Sequence, residues 1–359
     1  MSARKLRCVI LAALLLLGVC WTVASAAEQD GERYPNDQYL LTAKQLQATL
    51  GREQVIIVDA RDDESFDGKL VPGALRMPWT LFTRADPARN MAGVFVGTAE
   101  AREILGRHGI TRADTVVLYD SVAWDGGATA SYIFWVLDLL GHERMALLER
   151  GIDGWADAGL PLAREPAKPE PQLYQAPRSE IRLRRLADES FVVSCLDDPS
   201  CQILDVRSRE EYLGTKITTA PDGTPLKPGH IPGALNVDYR LNWSDPETKA
   251  IKPYAELREL YGNLDPRKAV ITYCHSGRRS SFSYFILRLM GFEDVILYDD
   301  SWMGWGRPGA DLPVETAEAA PLPDDLPGAS SRAPASSAKH DAAGDTQAAT
   351  ADVPPLPRD

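Results

Sequence analysis

Short apolar runs recur along the chain without alternating with polar residues. Ile56-Ile57-Val58, Val116-Val117-Leu118, Val270-Ile271 and Val295-Ile296-Leu297 are examples, most of them β-branched. A strand with one wet face alternates, whereas a strand of a parallel sheet covered on both faces reads as a continuous apolar run. Between the runs lie segments whose pattern predicts helices, among them Thr98 to His108 and Ser281 to Met290. Alternating strands and helices predict an α/β fold, with parallel sheets flanked by helices on both faces. In such sheets the functional groups gather at the carboxyl ends of the strands.

The pattern occurs twice. Val55-Ile-Ile-Val-Asp59-Ala-Arg61 matches Gln202-Ile-Leu-Asp205-Val-Arg207, and Val71-Pro72-Gly73-Ala74 matches Ile231-Pro232-Gly233-Ala234. Thr115 to Asp120 matches Lys268 to Cys274, Leu139-Leu140-Gly141 matches Leu289-Met290-Gly291, and Gly154-Trp155 matches Gly304-Trp305. The order is kept and the separation is roughly constant. The period is far longer than that of a solenoid repeat, so each copy is expected to be a domain. The 359 residues agree, since one core rarely grows past about 250–300. The expected organisation is a first domain over 36–163, a linker over 164–180 and a second domain over 181–315. Pro166, Pro169, Pro171 and Pro177 give the linker an extended, stiff character. From 316 to 359 the chain turns to Ala, Pro, Ser and Asp, and is expected to be a disordered tail.

The N-terminus reads as a secretory signal peptide over 1–27. Arg4, Lys5 and Arg7 precede the apolar run Val9 to Val19, and Ala24-Ser25-Ala26 supplies the small residues of a cleavage site. The run is short for a membrane anchor, and bulky Val19 before Cys20 speaks against a lipoprotein. The expectation is a cleaved protein, periplasmic or secreted, with no stable membrane insertion and monomeric. A net charge of −12 with no basic run in mid-chain excludes nucleic acid as a main partner. Small anions remain possible, because local fields capture them. Of the five cysteines, Cys8 and Cys20 fall in the signal peptide. Cys195, Cys201 and Cys274 remain, and an odd count in an oxidising compartment suggests one pair and one free thiol. Cys195 and Cys201, either side of an Asp-Asp-Pro-Ser turn, are the candidate disulfide, and two buried thiols are the alternative.

Cys274-His275-Ser276-Gly277-Arg278-Arg279-Ser280 follows a buried-type strand and precedes a helix. A loop there can turn its N–H groups inward at the positive end of the helix dipole, forming a cradle for an anion and favouring a thiolate at its rim. Gly277 permits close backbone approach. Arg278 and Arg279 add positive charge, and His275 lines the loop, since adjacent side chains point apart.

This loop resembles the active-site loop of the rhodanese family, which runs Cys-x-x-Gly-x-Arg/Thr. Asp205-Val-Arg207-Ser-Arg-Glu-Glu211-Tyr212, Gly229-His230-Ile231-Pro232-Gly233-Ala234 and Tyr298-Asp-Asp-Ser301-Trp302 resemble further family motifs, with Asp300 where the family has glycine. The resemblance covers about residues 38 to 315. It implies two rhodanese folds and ping-pong sulfur transfer, in which a small anionic donor loads Cys274 as a persulfide and a thiophilic acceptor, cyanide or a thiol, unloads it. It implies catalysis by Cys274, and donor binding by His275, Ser276, Gly277, Arg278, Arg279, Ser280 and Arg207. No cofactor and no metal are expected. The more probable role of Asp59 with Arg61, and of Asp205 with Arg207, is a structural ion pair. The first copy departs from the pattern, with Asp120 at the cysteine position and a longer, acidic loop, so it is expected to be inactive. Related phosphatases use Cys-x5-Arg, but here Arg279 comes one residue too early and Ser280 takes that place. The donor expected is thiosulfate, with 3-mercaptopyruvate sulfurtransferase or a non-catalytic persulfide carrier as alternatives. Glu211, at a position where mercaptopyruvate-binding relatives carry arginine, is expected to repel a carboxylate.

Overall fold

The computed structural model describes residues 33–123 and 126–316. The expected signal peptide, nearly all of the expected tail, and Trp124 and Asp125 of the first copy's loop lie outside the described residues. The first copy contains β1 (Leu40–Leu41), α1 (Ala43–Gln47), β2 (Val55–Asp59), β3 (Leu75–Arg76), β4 (Thr83–Asp86) and β5 (Met91–Phe95). It continues with α2 (Thr98–Arg107), β6 (Thr115–Tyr119), α3 (Ala130–Leu139), β7 (Met145–Leu148) and α4 (Gly151–Asp157). The second contains β8 (Leu186–Ala187), α5 (Glu189–Cys195), β9 (Cys201–Asp205), α6 (Arg209–Leu213), β10 (Leu235–Asn236) and α7 (Tyr254–Leu260). It ends with β11 (Ala269–Tyr273), α8 (Arg278–Leu289), β12 (Val295–Tyr298) and α9 (Ser301–Trp305).

Each copy forms a five-stranded sheet, in the order β1-β7-β6-β2-β3 and β8-β12-β11-β9-β10, with all pairings parallel. The two orders are the same under the internal repeat. The β-branched runs occupy the inner strands, buried on both faces as their lack of alternation predicts. The first copy adds one element that the second lacks, the antiparallel hairpin β4–β5. The 164–180 segment has no regular structure, yet it is tied down, with the Gln172 N–H donating to Gly106 O (2.8 Å) and Tyr174 buried.

Equivalent ion pairs end β2 and β9. Arg61 and Asp59 meet at 2.7 Å, Arg207 and Asp205 at 2.6 Å, and all four are buried. The Tyr273 hydroxyl donates to Asp205 (2.6 Å) and accepts the Ile231 N–H (3.1 Å), which fixes the Ile-Pro-Gly-Ala turn against the strand ends. Cys195 and Cys201 are joined in a disulfide, Cα atoms 5.5 Å apart, between the end of α5 and the start of β9.

The two copies share a core. Every residue of α3 is buried, and α8 is buried over almost all its length, so each helix needs an apolar partner beyond its own sheet. They pack on one another, with Phe134 edge-on to Phe285 at 5.1 Å and the Ser131 and Ser281 hydroxyls 2.9 Å apart. Asp138 sits at the far end of this seam, fully buried, among Tyr284 (2.6 Å), Arg288 (3.2 Å) and Arg182 (2.5 Å). Burial pushes the Asp138 carboxyl up, but Arg288, Arg185, the Tyr284 hydroxyl and Arg182 together outweigh it and hold the group below the usual range.

Asp138→Asn leaves buried guanidinium groups without their anion, and is expected to lower unfolding free energy by about 3–5 kcal/mol in urea titrations. The sign of the pH effect follows from the lowered pKa. The stabilisation is complete above the unfolded carboxylate value of about 3.9 and is lost as pH falls through the folded value, so the deficit of the variant shrinks in acid. Thiol counting under denaturing, non-reducing conditions is expected to find one free thiol in protein trimmed of residues 1–27. Cys201→Ser is expected to cost roughly 2 kcal/mol by opening so short a loop.

Candidate functional site

Cys274 directly follows β11 at the carboxyl edge of its sheet, where the chain turns into α8. It is 1% exposed and is the free cysteine among the described residues. The helix starts at Arg278, three residues earlier than its apolar pattern predicts. The loop is therefore only four residues long, and Arg278, Arg279 and Ser280 form the first helical turn. Their N–H groups have no intrahelical acceptor, and the dipole of the 12-residue helix favours negative charge in front of them.

Two backbone conformations in the left-handed region hold the turn. Gly277 has φ +86, and a Cβ there would lie 2.3 Å from Asp299 Oδ1, so no side chain fits. Ser301 has φ +50, unusual for a residue with a side chain. Its hydroxyl oxygen accepts the N–H groups of Cys274 (3.1 Å) and Gly277 (3.0 Å) and its own proton goes to Tyr298 O (2.8 Å). The Trp302 and Met303 N–H groups donate to Cys274 O (3.0 Å) and His275 O (2.9 Å), so α9 braces the loop from below. The Ser280 hydroxyl lies 3.5 Å from the Cys274 sulfur.

The Arg279 guanidinium is held by both oxygens of Glu211, each at 3.1 Å, and interacts electrostatically with Cys274. Burial pushes the Glu211 carboxyl up, but Arg279 and then Arg207 hold it down at about 2, so it is an anion at neutral pH. Glu211 also caps α6, accepting the Ser208 N–H at 3.3 Å. Glu211, expected from the sequence to repel a carboxylate, has its charge matched by Arg279. Arg278 lies over the ring of Trp79 of the first copy, 5.8 Å from its centroid. Burial and then Arg279 push the His275 imidazole down to about 4, leaving it neutral, and its Nδ1 has no hydrogen-bond partner. Among the expected donor-binding residues, His275, Ser276, Gly277, Arg278, Arg279 and Ser280 lie together on the Cys274 loop and the first turn of α8. Arg207 does not belong with them. It is 1% exposed, bonded to Asp205 and to Gly229 O (2.8 Å), and stacked over Trp302 at 4.3 Å, so it is spent on structure.

The first copy has the same cradle, filled from within. The Asp120 carboxylate accepts N–H groups from Gly127 (2.9 Å), Thr129 (3.2 Å) and Ala130 (3.2 Å), and the Thr129 hydroxyl (2.7 Å). Burial raises its pKa, and these four donors act against that rise. A covalently attached anion thus takes the place that an exogenous anion would need, and no thiol is present there. Sequence patterns pointed to Ser301 and Asp299 only as motif letters; Tyr132, Trp79 and Phe95 carry no local signal, because only the packing of one copy on the other brings them near.

The comparisons with known proteins agree with this architecture. The model of the rhodanese-like domain matches residues 42–158 and 192–307. The thiosulfate sulfurtransferase of Corynebacterium glutamicum is 30% identical over 298 residues, covering 80% of this chain and 93% of that protein. A Mycobacterium tuberculosis protein provisionally named a thiosulfate sulfurtransferase is 32% identical over 273 residues, covering 74% of this chain and 94% of its own length. Among solved structures, the anaerobic ergothioneine biosynthesis enzyme of Chlorobium limicola superposes with a TM-score of 0.66 at 22% identity, covering 80% of this chain and 72% of that one; it shares the fold.

Gly277→Ala places a methyl group against Asp299 in a conformation that L-residues avoid. It is expected to lower turnover at Cys274 by on the order of a hundredfold, given that loop misplacement of about 1 Å costs that much. Circular dichroism is expected to stay native.

Proposed function

The chain belongs to the rhodanese family, and from that premise we propose that it is a thiosulfate sulfurtransferase working through a persulfide on Cys274. The observation that carries the reading is the contrast between the two cradles. One holds the free, buried Cys274 at the N-terminal end of α8, and the other is closed by Asp120.

In the first half-reaction the Cys274 thiolate attacks the outer sulfur of thiosulfate. The S–S bond of the donor breaks, sulfite leaves with the electron pair, and Cys274 carries the extra sulfur. In the second, cyanide or a thiolate attacks that outer sulfur and the Cys274 thiolate leaves, restoring the resting state. Both half-reactions pass negative charge across the same loop. The amides of the first helical turn, the Ser280 hydroxyl and Arg279 are the groups placed to hold it. Ser276 and Gly277 contribute backbone, and Arg278 supplies charge at the rim beside Trp79. His275, neutral and unpartnered at Nδ1, offers a hydrogen bond to donor or acceptor without adding charge. Arg278 and Arg279 suit a compact dianion, and Glu211, paired with Arg279, stands where mercaptopyruvate-binding relatives carry arginine. We further propose a periplasmic or secreted location, on the signal-peptide pattern of residues 1–27, and a monomeric protein that meets small sulfur anions directly.

With cyanide as common acceptor, kcat/KM is expected to be higher for thiosulfate than for 3-mercaptopyruvate; the reverse order would sink the donor assignment. Cys274→Ser is expected to abolish transfer, and intact mass spectrometry of the donor-treated wild type to show one added sulfur on Cys274. Arg279→Ala is expected to lower kcat/KM for thiosulfate on the order of tenfold or more, as loss of a charged hydrogen bond costs about 1.5–3 kcal/mol. The Asp120→Cys, Cys274→Ser double variant is expected to stay inactive.

A further inference from the structure

The hairpin β4–β5, present only in the first copy, reaches the end of β12 in the second. The Phe95 N–H donates to Asp299 Oδ2 at 2.8 Å, and the Tyr132 hydroxyl of α3 donates to Asp299 Oδ1 at 2.9 Å. Arg89, near the hairpin tip, pairs with Asp300 at 2.5 Å, and the Ala92 N–H meets the Met303 sulfur at 3.4 Å. Asp300 stands where the family motif has glycine, so this chain has an extra charge to receive Arg89. On its other side Asp299 Oδ1 presses against Gly277, where even a Cβ would come within 2.3 Å. Asp299 is 4% exposed, so its two donors from the first copy fix the carboxylate's position.

We propose that Asp299 is a positioning residue for the Cys274 loop, and that the hairpin β4–β5 of the first copy is the strap that holds it there. The inference rests on the reading of Cys274 as the sulfur carrier, and goes beyond it by giving the inactive copy a defined part in the reaction. The chain of contacts is short. The first copy holds Asp299, Asp299 backs Gly277, and Gly277 sets the direction of the amides that face the sulfur. Displacing Gly277 would rotate its N–H away from the Ser301 hydroxyl, which also anchors Cys274. The groups facing Asp299 are Tyr132 from α3, Arg89 from the hairpin and Asp300 beside it, and Tyr132 also senses Cys274. Burial, set against the Phe95 and Tyr132 hydrogen bonds, pushes the Asp299 carboxyl up to about 7.

Two measurements on the full chain test this, both normalised to folded protein below the melting temperature. The first is single-turnover discharge of the Cys274 persulfide to cyanide. It is expected to slow at least tenfold in Asp299→Ala and no more than threefold in Asp299→Asn, whose amide can still accept from Phe95 and donate to the Tyr132 oxygen. The second is the pH profile for alkylation of Cys274 by iodoacetamide, which needs no sulfur donor. Its midpoint is expected to rise in Asp299→Ala, because the loop amides no longer converge. Removing a buried negative charge without moving the loop would lower the midpoint instead. A midpoint that stays or falls, or a discharge rate within twofold of wild type, overturns the proposal. If Asp299→Ala does not fold, Tyr132→Phe, which deletes one hydrogen bond, is expected to move both readouts in the same direction by a smaller amount, and no movement overturns the proposal. If the wild type never takes up sulfur, the functional reading fails, and the alkylation profile alone decides the role of Asp299.

Discussion

Two helices that are buried on nearly every side cannot each be satisfied by one sheet. That constraint forces α3 and α8 together and makes one core out of two copies. The seam is apolar in its middle, at Phe134 and Phe285, and ends on Asp138 with its ring of arginines. A buried carboxylate among guanidinium groups adds little net stability over an apolar contact, but it tolerates no sliding, since any shift strands a charge. The register of α8 against α3 is therefore strongly defined. The Cys274 loop is the N-terminal end of that same helix, so the site inherits its position from the seam.

The two cradles show how one backbone serves two ends. Each copy turns from its central strand into a helix with amides pointing inward, an arrangement that wants an anion. In the first copy the Asp120 carboxyl group fills that place and takes four donors. In the second the position is a thiol, and the loop remains open to whatever anion chemistry brings. The first copy keeps the fold with a carboxyl group where the second has its thiol. It retains a contribution through the surfaces it lays against the second, with Trp79 under Arg278 and Phe95 and Tyr132 on Asp299.

Charge placement around Cys274 is economical. Arg279 is fixed by Glu211, Glu211 caps the helix that follows the β9 ion pair, and Arg207 is spent within that ion pair. Arg279, which interacts electrostatically with Cys274, is thus pre-oriented by a carboxylate whose pKa is held down at about 2. A preorganised charge costs no reorganisation when negative charge moves across the loop.

The internal repeat and the parallel α/β class were legible in the chain alone. Each depends on local pattern. Continuous β-branched runs mean strands covered on both faces, and cysteine, glycine and arginines after such a run mean an anion loop. The replacement of the cysteine by Asp120 in the first copy was equally legible, being a matter of residue identity. What local pattern could not decide was partnership. Arg207 and Arg279 look alike in sequence, both cations within recognisable motifs, yet one is sealed into an ion pair with Asp205 and the other is bound to Glu211 and interacts electrostatically with Cys274. The helix start at Arg278 was also hidden, because its first turn is polar and is held by Gly277, Ser301 and Asp299 rather than by apolar spacing. The first copy's grip on Asp299 joins residues 204 and 167 positions away through the Phe95 N–H of the hairpin and the Tyr132 hydroxyl of α3, which leave no periodicity to read. Residue types determined what chemistry the chain can do; only the packing of one copy on the other decided which charges are free to do it.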